Sequence, residues 1–301
     1  MFTIIKNTHV DFVRQRYIGF TVSACLILLG LVALVKVATG HAKLSIDFSG
    51  GANVNLIMQK VVPERDMRSA LQAAFPDAVI QQVEDKAQYL IRIRSSEAQT
   101  GKVSEQVAGV VAKAFPDDPI LEKDSDEVGP AVSANLRKQA FSAVAIAMLC
   151  ITIYIAFRFD RRFAVGAFVA TIHDVLAVLG IMVFLGRDFS LLVVTALLTL
   201  AGYSLTDTVV VFDRIRENMR LQRTEPFGKI VNDSINETLS RTLNTSMAFL
   251  VTVVALFFLG GPVIHDMALS LILGVIVGTY SSIYVASPLV LEWNLRRPVR
   301  R

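Results

Sequence analysis

Cysteine is almost absent: among 301 residues only Cys25 and Cys150 occur, both inside apolar runs. That excludes a disulfide framework and any cysteine-based metal or redox motif, and each is read as a plain buried thiol. Histidine numbers four and tryptophan one. No nucleotide-binding signature or catalytic constellation is visible, so neither an enzyme nor a metal site is expected. Charged residues make up only 19% and stand in blocks, against 53% hydrophobic residues and a mean hydropathy of +0.53. This is the balance of an integral membrane protein.

What is abundant is long apolar sequence. Six stretches stand out, at 17–35, 141–157, 163–185, 191–212, 243–259 and 267–291. Each is near the roughly 20 residues a helix needs to cross the hydrocarbon core. The first has basic residues ahead of it, but it is too long for a leader and no small-residue cleavage site follows cleanly, so it is read as a retained anchor. Lys and Arg in the short flanking segments fix the orientation. One side holds Lys6, Arg14, Arg16, Arg158, Arg161, Arg162, Arg214, Arg216, Arg220, Arg223, Lys229, Arg296, Arg297, Arg300 and Arg301. The other has only Arg187 in its short loops. Both termini are therefore expected in the cytoplasm, and the net charge of +4 is an orientation signal that requires no nucleic acid.

The domain plan is a cytoplasmic N-terminal segment 1–16, a first transmembrane helix 17–38 and an extracytoplasmic domain 39–138. A five-helix bundle 139–293 follows, with a cytoplasmic hairpin at 213–240 and a basic tail at 294–301. Segments 1–12 and 227–239 are mildly amphipathic, although Asn232, Asp233 and Asn236 interrupt the second. The outer domain shows strand patterns at 43–48, 53–59, 78–83, 88–93 and 119–123, with apolar alternation at Val54, Leu56 and Met58. Helical period at 63–75 and 100–115, each closed by a Phe-Pro pair, completes a strand, helix, strand, strand, helix, strand order after the first strand. That order predicts a ferredoxin-like α/β sandwich. In Asp47-Phe48-Ser49-Gly50-Gly51 the glycines either let a backbone approach a ligand or permit a tight turn, and turn chemistry is preferred.

Ionisable residues inside spans are costly, and they direct attention to two places. Asp207 lies about 9 Å inside the cytoplasmic end of the fourth span at 1.5 Å per residue, flanked by Thr206 and Thr208. Arg241 stands at the mouth of the fifth. An arginine keeps its proton, so Arg241 would be a fixed counter-charge that Asp207 engages when ionised and releases when neutral. His173-Asp174 in the third span lies nearer the bilayer centre and reads either as a satisfied packing pair or as a relay, with Asp174 facing the bundle. The hydroxyl residues, taken singly, read as interhelical bonds worth about 0.6–2 kcal/mol. Gly274 and Gly278 have the spacing for a close helix approach, either within the chain or against a partner.

Three motifs converge. They are Asp47-Phe48-Ser49-Gly50-Gly51, the stretch Gly202-Tyr203-Ser204-Leu205-Thr206-Asp207-Thr208 running on to Asp213-Arg214-Ile215-Arg216-Glu217-Asn218, and Asn236-Glu237-Thr238-Leu239-Ser240-Arg241-Thr242. Together with Val128-Gly129-Pro130 and the six-span layout, the chain resembles the SecD/SecF protein-export family, on its SecF side. The resemblance implies an accessory subunit that pairs with SecD beside the SecYEG channel, with YajC as a further associate, in the inner membrane. It implies use of the proton gradient to draw unfolded preproteins across, with protons as coupling ion and no other cofactor. It also implies kinship with the resistance-nodulation-division transporters, whose membrane unit has two related six-span halves. No internal repeat is evident here, which fits a single half. Half of a small-molecule efflux transporter and a non-transporting scaffold subunit are the competing readings.

Overall fold

The computed structural model describes residues 9–76, 78–82, 87–93 and 103–296. The chain divides into two compact units: Leu44–Ser142, and Met1–Lys43 with Ala143–Arg301. The outer boundary therefore falls at Leu44, and the α/β unit runs into the first turns of the helix that follows it. Residues 1–8 and 297–301, Val83 and residues 100–102 of the expected elements lie outside the described residues.

The α/β unit contains α2 (Ile46–Ser49), β1 (Gly51–Met58), α3 (Glu64–Gln72), β2 (Val79–Gln82), β3 (Gln88–Ile93), α4 (Val103–Ala114) and β4 (Ile120–Val128), after α1 (Arg16–Ala38) of the other unit. The sheet order is β2-β3-β1-β4, antiparallel throughout. This is the ferredoxin-like arrangement. Alternation places Val54, Leu56 and Met58 on one face of β1, where they are fully buried with Met67 and Leu71 of α3 and Val107 and Val111 of α4. Tyr89 on β3 shares that core, and its hydroxyl exchanges bonds of 2.6 and 2.5 Å with the backbone N–H and C=O of Val62. Two polar groups on the loop before α3 are thereby satisfied.

Of the expected strand at 43–48, Leu44 alone keeps a β-bridge and 46–48 form part of the helical turn α2. Ser45 caps it, its Oγ accepting from the Asp47 N–H at 3.3 Å and donating to Asp47 Oδ2 at 2.9 Å, so local side-chain bonding overrides the apolar alternation. The turn then reverses through Gly50 (φ 74°) and Gly51 (φ 128°), which a side chain would strain at both positions.

The other unit is helical: α1, α5 (Pro130–Arg158), α6 (Arg161–Phe184), α7 (Leu191–Leu221), α8 (Phe227–Leu259), α9 (Gly261–Ser281), a π-helical turn Ser282–Ala286, and α10 (Ser287–Arg296). Among the described residues six helices are long and apolar enough to cross a membrane, α9 through α10 counting as one. In α6, α7 and α9–α10, 56% of the apolar window is buried within the chain, against 22% in α1, 17% in α8 and 11% in α5. α6 is thus the axis, packing on α1, α7 and α9, while α5 and α8 present most of their apolar surface outward. Cys25 of α1 and Cys150 of α5 are both exposed, a correction to their reading as buried thiols. Position within a span does not tell which side of the helix faces the bundle.

The segment read as a hairpin at 213–240 is mostly helix, since α7 continues to Leu221 and α8 begins at Phe227. The two extensions are stitched by Asn218 Nδ2, which donates to Ser234 Oγ at 3.0 Å and Glu237 Oε2 at 2.7 Å, and by Arg214 Nε to Glu237 at 2.5 Å. Asn232 and Asn236 also have partners. They hold the backbone of the N-terminal segment, with Oδ1 of Asn236 accepting from Val10 N–H at 3.0 Å and Oδ1 of Asn232 from Phe12 N–H at 2.9 Å.

Glycines set the α1–α6 crossing. A Cβ on Gly30 would sit 2.4 Å from the Leu176 carbonyl oxygen, and one on Gly180 2.7 Å from the Gly30 nitrogen. Backbone cannot yield there as a side-chain tip can. Gly180→Ala is expected to destabilise the bundle by about 2 kcal/mol. Gly202→Ala, whose Cβ would meet nothing within 4 Å, should leave it unchanged or gain roughly 0.5–1 kcal/mol. Thermal melting of the full chain in detergent separates the two. Equal melting of both variants would contradict the close-approach reading.

Candidate functional site

Two polar groups sit on neighbouring sides of α7. Its N-cap Ser190, whose Oγ accepts from the Val193 N–H at 3.2 Å, starts the helix, and a largely apolar run interrupted by Thr195 and Thr199 then carries it inward. Ser204 and Asp207 follow one turn apart, so Ser204 meets α6 and α9 while Asp207 turns toward α8.

On the inner side, Asp174 and His173 of α6 are both wholly buried. His173 Nδ1 lies 2.9 Å from Asp174 Oδ1. Asp174 Oδ2 accepts from Ser204 Oγ and from Ser281 Oγ at 2.8 Å. Three helices therefore converge on one carboxylate. His173 Nε2 has no partner among the described residues, and its ring lies tilted beside Tyr280, centroids 6.2 Å apart. Tyr280 in turn donates to the Gly19 carbonyl at 2.6 Å and contacts Ser23 Oγ at 3.0 Å, which extends the polar chain to α1. Ser281 immediately precedes the π-helical turn, where Ser287 Oγ reaches back to the Ser282 carbonyl at 2.8 Å.

On the outer side, Asp207 retains 6% exposure. Its Oδ2 accepts from Ser246 Oγ at 3.4 Å, a long bond. The same hydroxyl is 2.8 Å from Thr279 Oγ1 and accepts from the Tyr203 hydroxyl at 3.2 Å. Thr279 can donate to Ser246 and leave the Ser246 proton for Asp207, so it is the length of its bond that leaves Asp207 loosely held where Asp174 is firmly held. Tyr203 is fixed by stacking on Phe249, centroids 4.7 Å apart.

Arg241 is exposed on α8 and acts on Asp207 through its field. Among the described residues no ion pair within 4 Å joins the two. Thr206 is exposed, its hydroxyl returned to the Gly202 carbonyl at 3.2 Å, and Thr208 is buried. Thr206 next to Asp207 on α7, and Arg241 and Thr245 on α8, are exposed, while the exposed Thr195 and Thr199 lie further along α7, roughly 18 and 12 Å from Asp207 at about 1.5 Å per residue. Gly274 and Gly278 instead serve a contact inside the chain: Cβ atoms there would meet Leu200 Cδ1 at 2.6 Å and Ser204 Cβ at 3.1 Å. Their place is the α7–α9 crossing that brings Ser204 and Ser281 to the same carboxylate. Among the described residues no group of three His, Cys, Asp or Glu could hold a metal ion.

Sequence reasoning missed Ser204 and Ser281 as the partners of Asp174. They lie 30 and 107 residues away, and no local pattern links them.

Comparison with known proteins gives a consistent picture. Residues 108–296 match the family described as protein export membrane protein SecD/SecF, C-terminal. The protein translocase subunit SecF of Thermodesulfovibrio yellowstonii is 43% identical over 100% of both chains. The protein translocase subunit SecDF of Thermus thermophilus is 41% identical over 92% of this chain and 38% of its own length. The crystal structure of SecDF from Thermus thermophilus, a translocon-associated membrane protein, superposes with a TM-score of 0.80 at 38% identity, covering 98% of this chain and 40% of that one.

Proposed function

The chain belongs to the SecD/SecF protein-export family, is a multi-pass membrane protein, and from that premise we propose that it is the SecF-type half of a proton-driven translocase accessory unit. Its counterpart is a second six-span half, SecD, carried by the Thermus relative in the same chain, of which this one spans 40%. The pair works beside SecYEG, with YajC as an associate, on unfolded preprotein. The basic end of the bundle, with both termini, faces the cytoplasm, and the α/β unit lies in the periplasm.

The observation that carries this reading is Asp207, a carboxylate within a spanning helix, loosely bonded and 6% exposed. It opens onto a polar outward face that this chain does not cover. The exposed threonine hydroxyls are returned to carbonyls of their own helices, but an exposed guanidinium is disfavoured against lipid, so another polypeptide supplies the second wall of the site. Gaining a proton removes the charge that Arg241 acts on, and losing it restores that charge, so occupancy of one carboxyl biases how α7 and α8 sit against the partner half. Asp174, sealed and fully bonded, serves as the junction that keeps α6, α7 and α9 in register.

Depletion tests the role directly. In membrane vesicles lacking this chain, an imposed proton gradient is expected to give no increment in preprotein export, and re-supplying the chain with SecD should restore it. An undiminished increment without the chain would overturn the proposal.

A further inference from the structure

At the basic end of the bundle an open cleft of about 390 Å³ is lined by Arg158 at the end of α5 and by Asp213, Arg216, Glu217, Arg220 and Leu221 of α7. Three guanidiniums face two carboxylates. Asp213 is held between two of the cations, 2.6 Å from Arg158 Nη2 and 3.9 Å from Arg216 Nη1. Arg216 also donates to the Arg158 carbonyl at 3.5 Å, and both guanidiniums lie over the Phe159 ring, at 5.1 and 5.6 Å from its centroid. Ring and carboxylate thus fix the two arginines in place, and Arg220 extends the positive lining, exposed, one turn further along α7.

The height of this cleft gives it meaning. The apolar runs of the two helices end at Phe157 and Phe212, so its lining begins one residue past the hydrocarbon, at the level of lipid phosphates. Directly above, α5 turns Phe157 (90% exposed), Tyr154, Ile153 and Leu149 outward, and only 11% of its apolar window is buried in the chain. A net positive notch at phosphate height, continued by an uncovered apolar strip, matches one amphiphile. We propose that this cleft binds an anionic phospholipid, its phosphate on Arg216 and Arg220 and its acyl chains along α5. Guanidinium forks suit phosphate oxygens, and basic pockets beside spanning helices select anionic headgroups. Only the assignment to the cytoplasmic leaflet rests on the orientation proposed above, because binding itself requires neither that orientation nor proton coupling.

Native mass spectrometry of the full chain, with added phosphatidylglycerol, phosphatidylethanolamine or inorganic phosphate, is the test. Phosphatidylglycerol should be retained in preference to phosphatidylethanolamine, and the Arg216→Gln/Arg220→Gln double variant should lose about thirtyfold in that retention, while Arg223→Gln, outside the cleft, does not. Melting temperature checks that the double variant is folded. If it is not, single Arg220→Gln, at the exposed end, carries the test with a smaller loss. Equal retention of both lipids, an unchanged double variant, or displacement of the lipid by equimolar inorganic phosphate would overturn the assignment.

Discussion

Asp207→Asn is expected to abolish the gradient-dependent part of preprotein export while leaving the chain folded. Asparagine has nearly the shape of aspartate and can still accept from Ser246 Oγ, which lies 3.4 Å from Asp207 Oδ2, so packing is preserved and only the titrating group is lost. One proton moving through 100 mV supplies about 2.3 kcal/mol, equivalent to roughly a fiftyfold bias on a two-state step. Export driven by an imposed gradient in vesicles should fall by about that factor, to the level seen without a gradient, while melting temperature stays put. Arg241→Met serves as the companion. Because Arg241 acts on Asp207 without contact, its loss should weaken the gradient response without abolishing it.

Asp174→Leu is expected to have the largest effect on stability. Asp174 is the acceptor for His173, Ser204 and Ser281, and all four residues are fully or almost fully buried. Leucine would leave His173 Nδ1 and Ser204 Oγ unpaired, each at about 1–3 kcal/mol, while Ser281 Oγ can fall back on the Gly278 carbonyl at 3.1 Å. The sum is large beside the stability of a typical domain, and melting should fall by on the order of 10 °C. Asp174→Asn retains an acceptor and should melt within a few degrees of the parent, with its gradient response intact. If Asp174→Asn loses that response while Asp207→Asn keeps it, the roles of carrier and junction are reversed. If the double Asn variant exports normally, the scaffold reading gains.

The parts of the structure legible in the sequence are those governed by local periodicity. Apolar runs gave the six spans, and alternation at Val54, Leu56 and Met58 gave the buried face of β1. The strand and helix order gave the sandwich, whose antiparallel order β2-β3-β1-β4 follows from short, right-handed connections. The turn at Ser45 was hidden because Leu44, Ile46 and Phe48 alternate as a strand would, while capping bonds decide the conformation. The extensions of α7 and α8 were hidden because their polarity signals exit from the membrane and says nothing about the end of the helix. Asn232 and Asn236, read as flaws in an amphipathic surface, grip the backbone at Val10 and Phe12. Their spacing of four on one helix was the available signal. The site was half legible: an acid within an apolar run marks itself, but its partners arrive through tertiary packing. Arg241 was read as a counter-charge that Asp207 engages when ionised and releases when neutral, and among the described residues the structure holds the two without an ion pair within 4 Å.

The most direct measurement is infrared difference spectroscopy of the chain with its SecD partner in lipid, following carboxyl absorption across pH and using Asp207→Asn to assign the band. The account predicts a protonation band that appears and disappears with pH in the parent and is missing from the variant. A parent whose Asp207 stays in one protonation state at every accessible pH, while gradient-driven export proceeds, would contradict it.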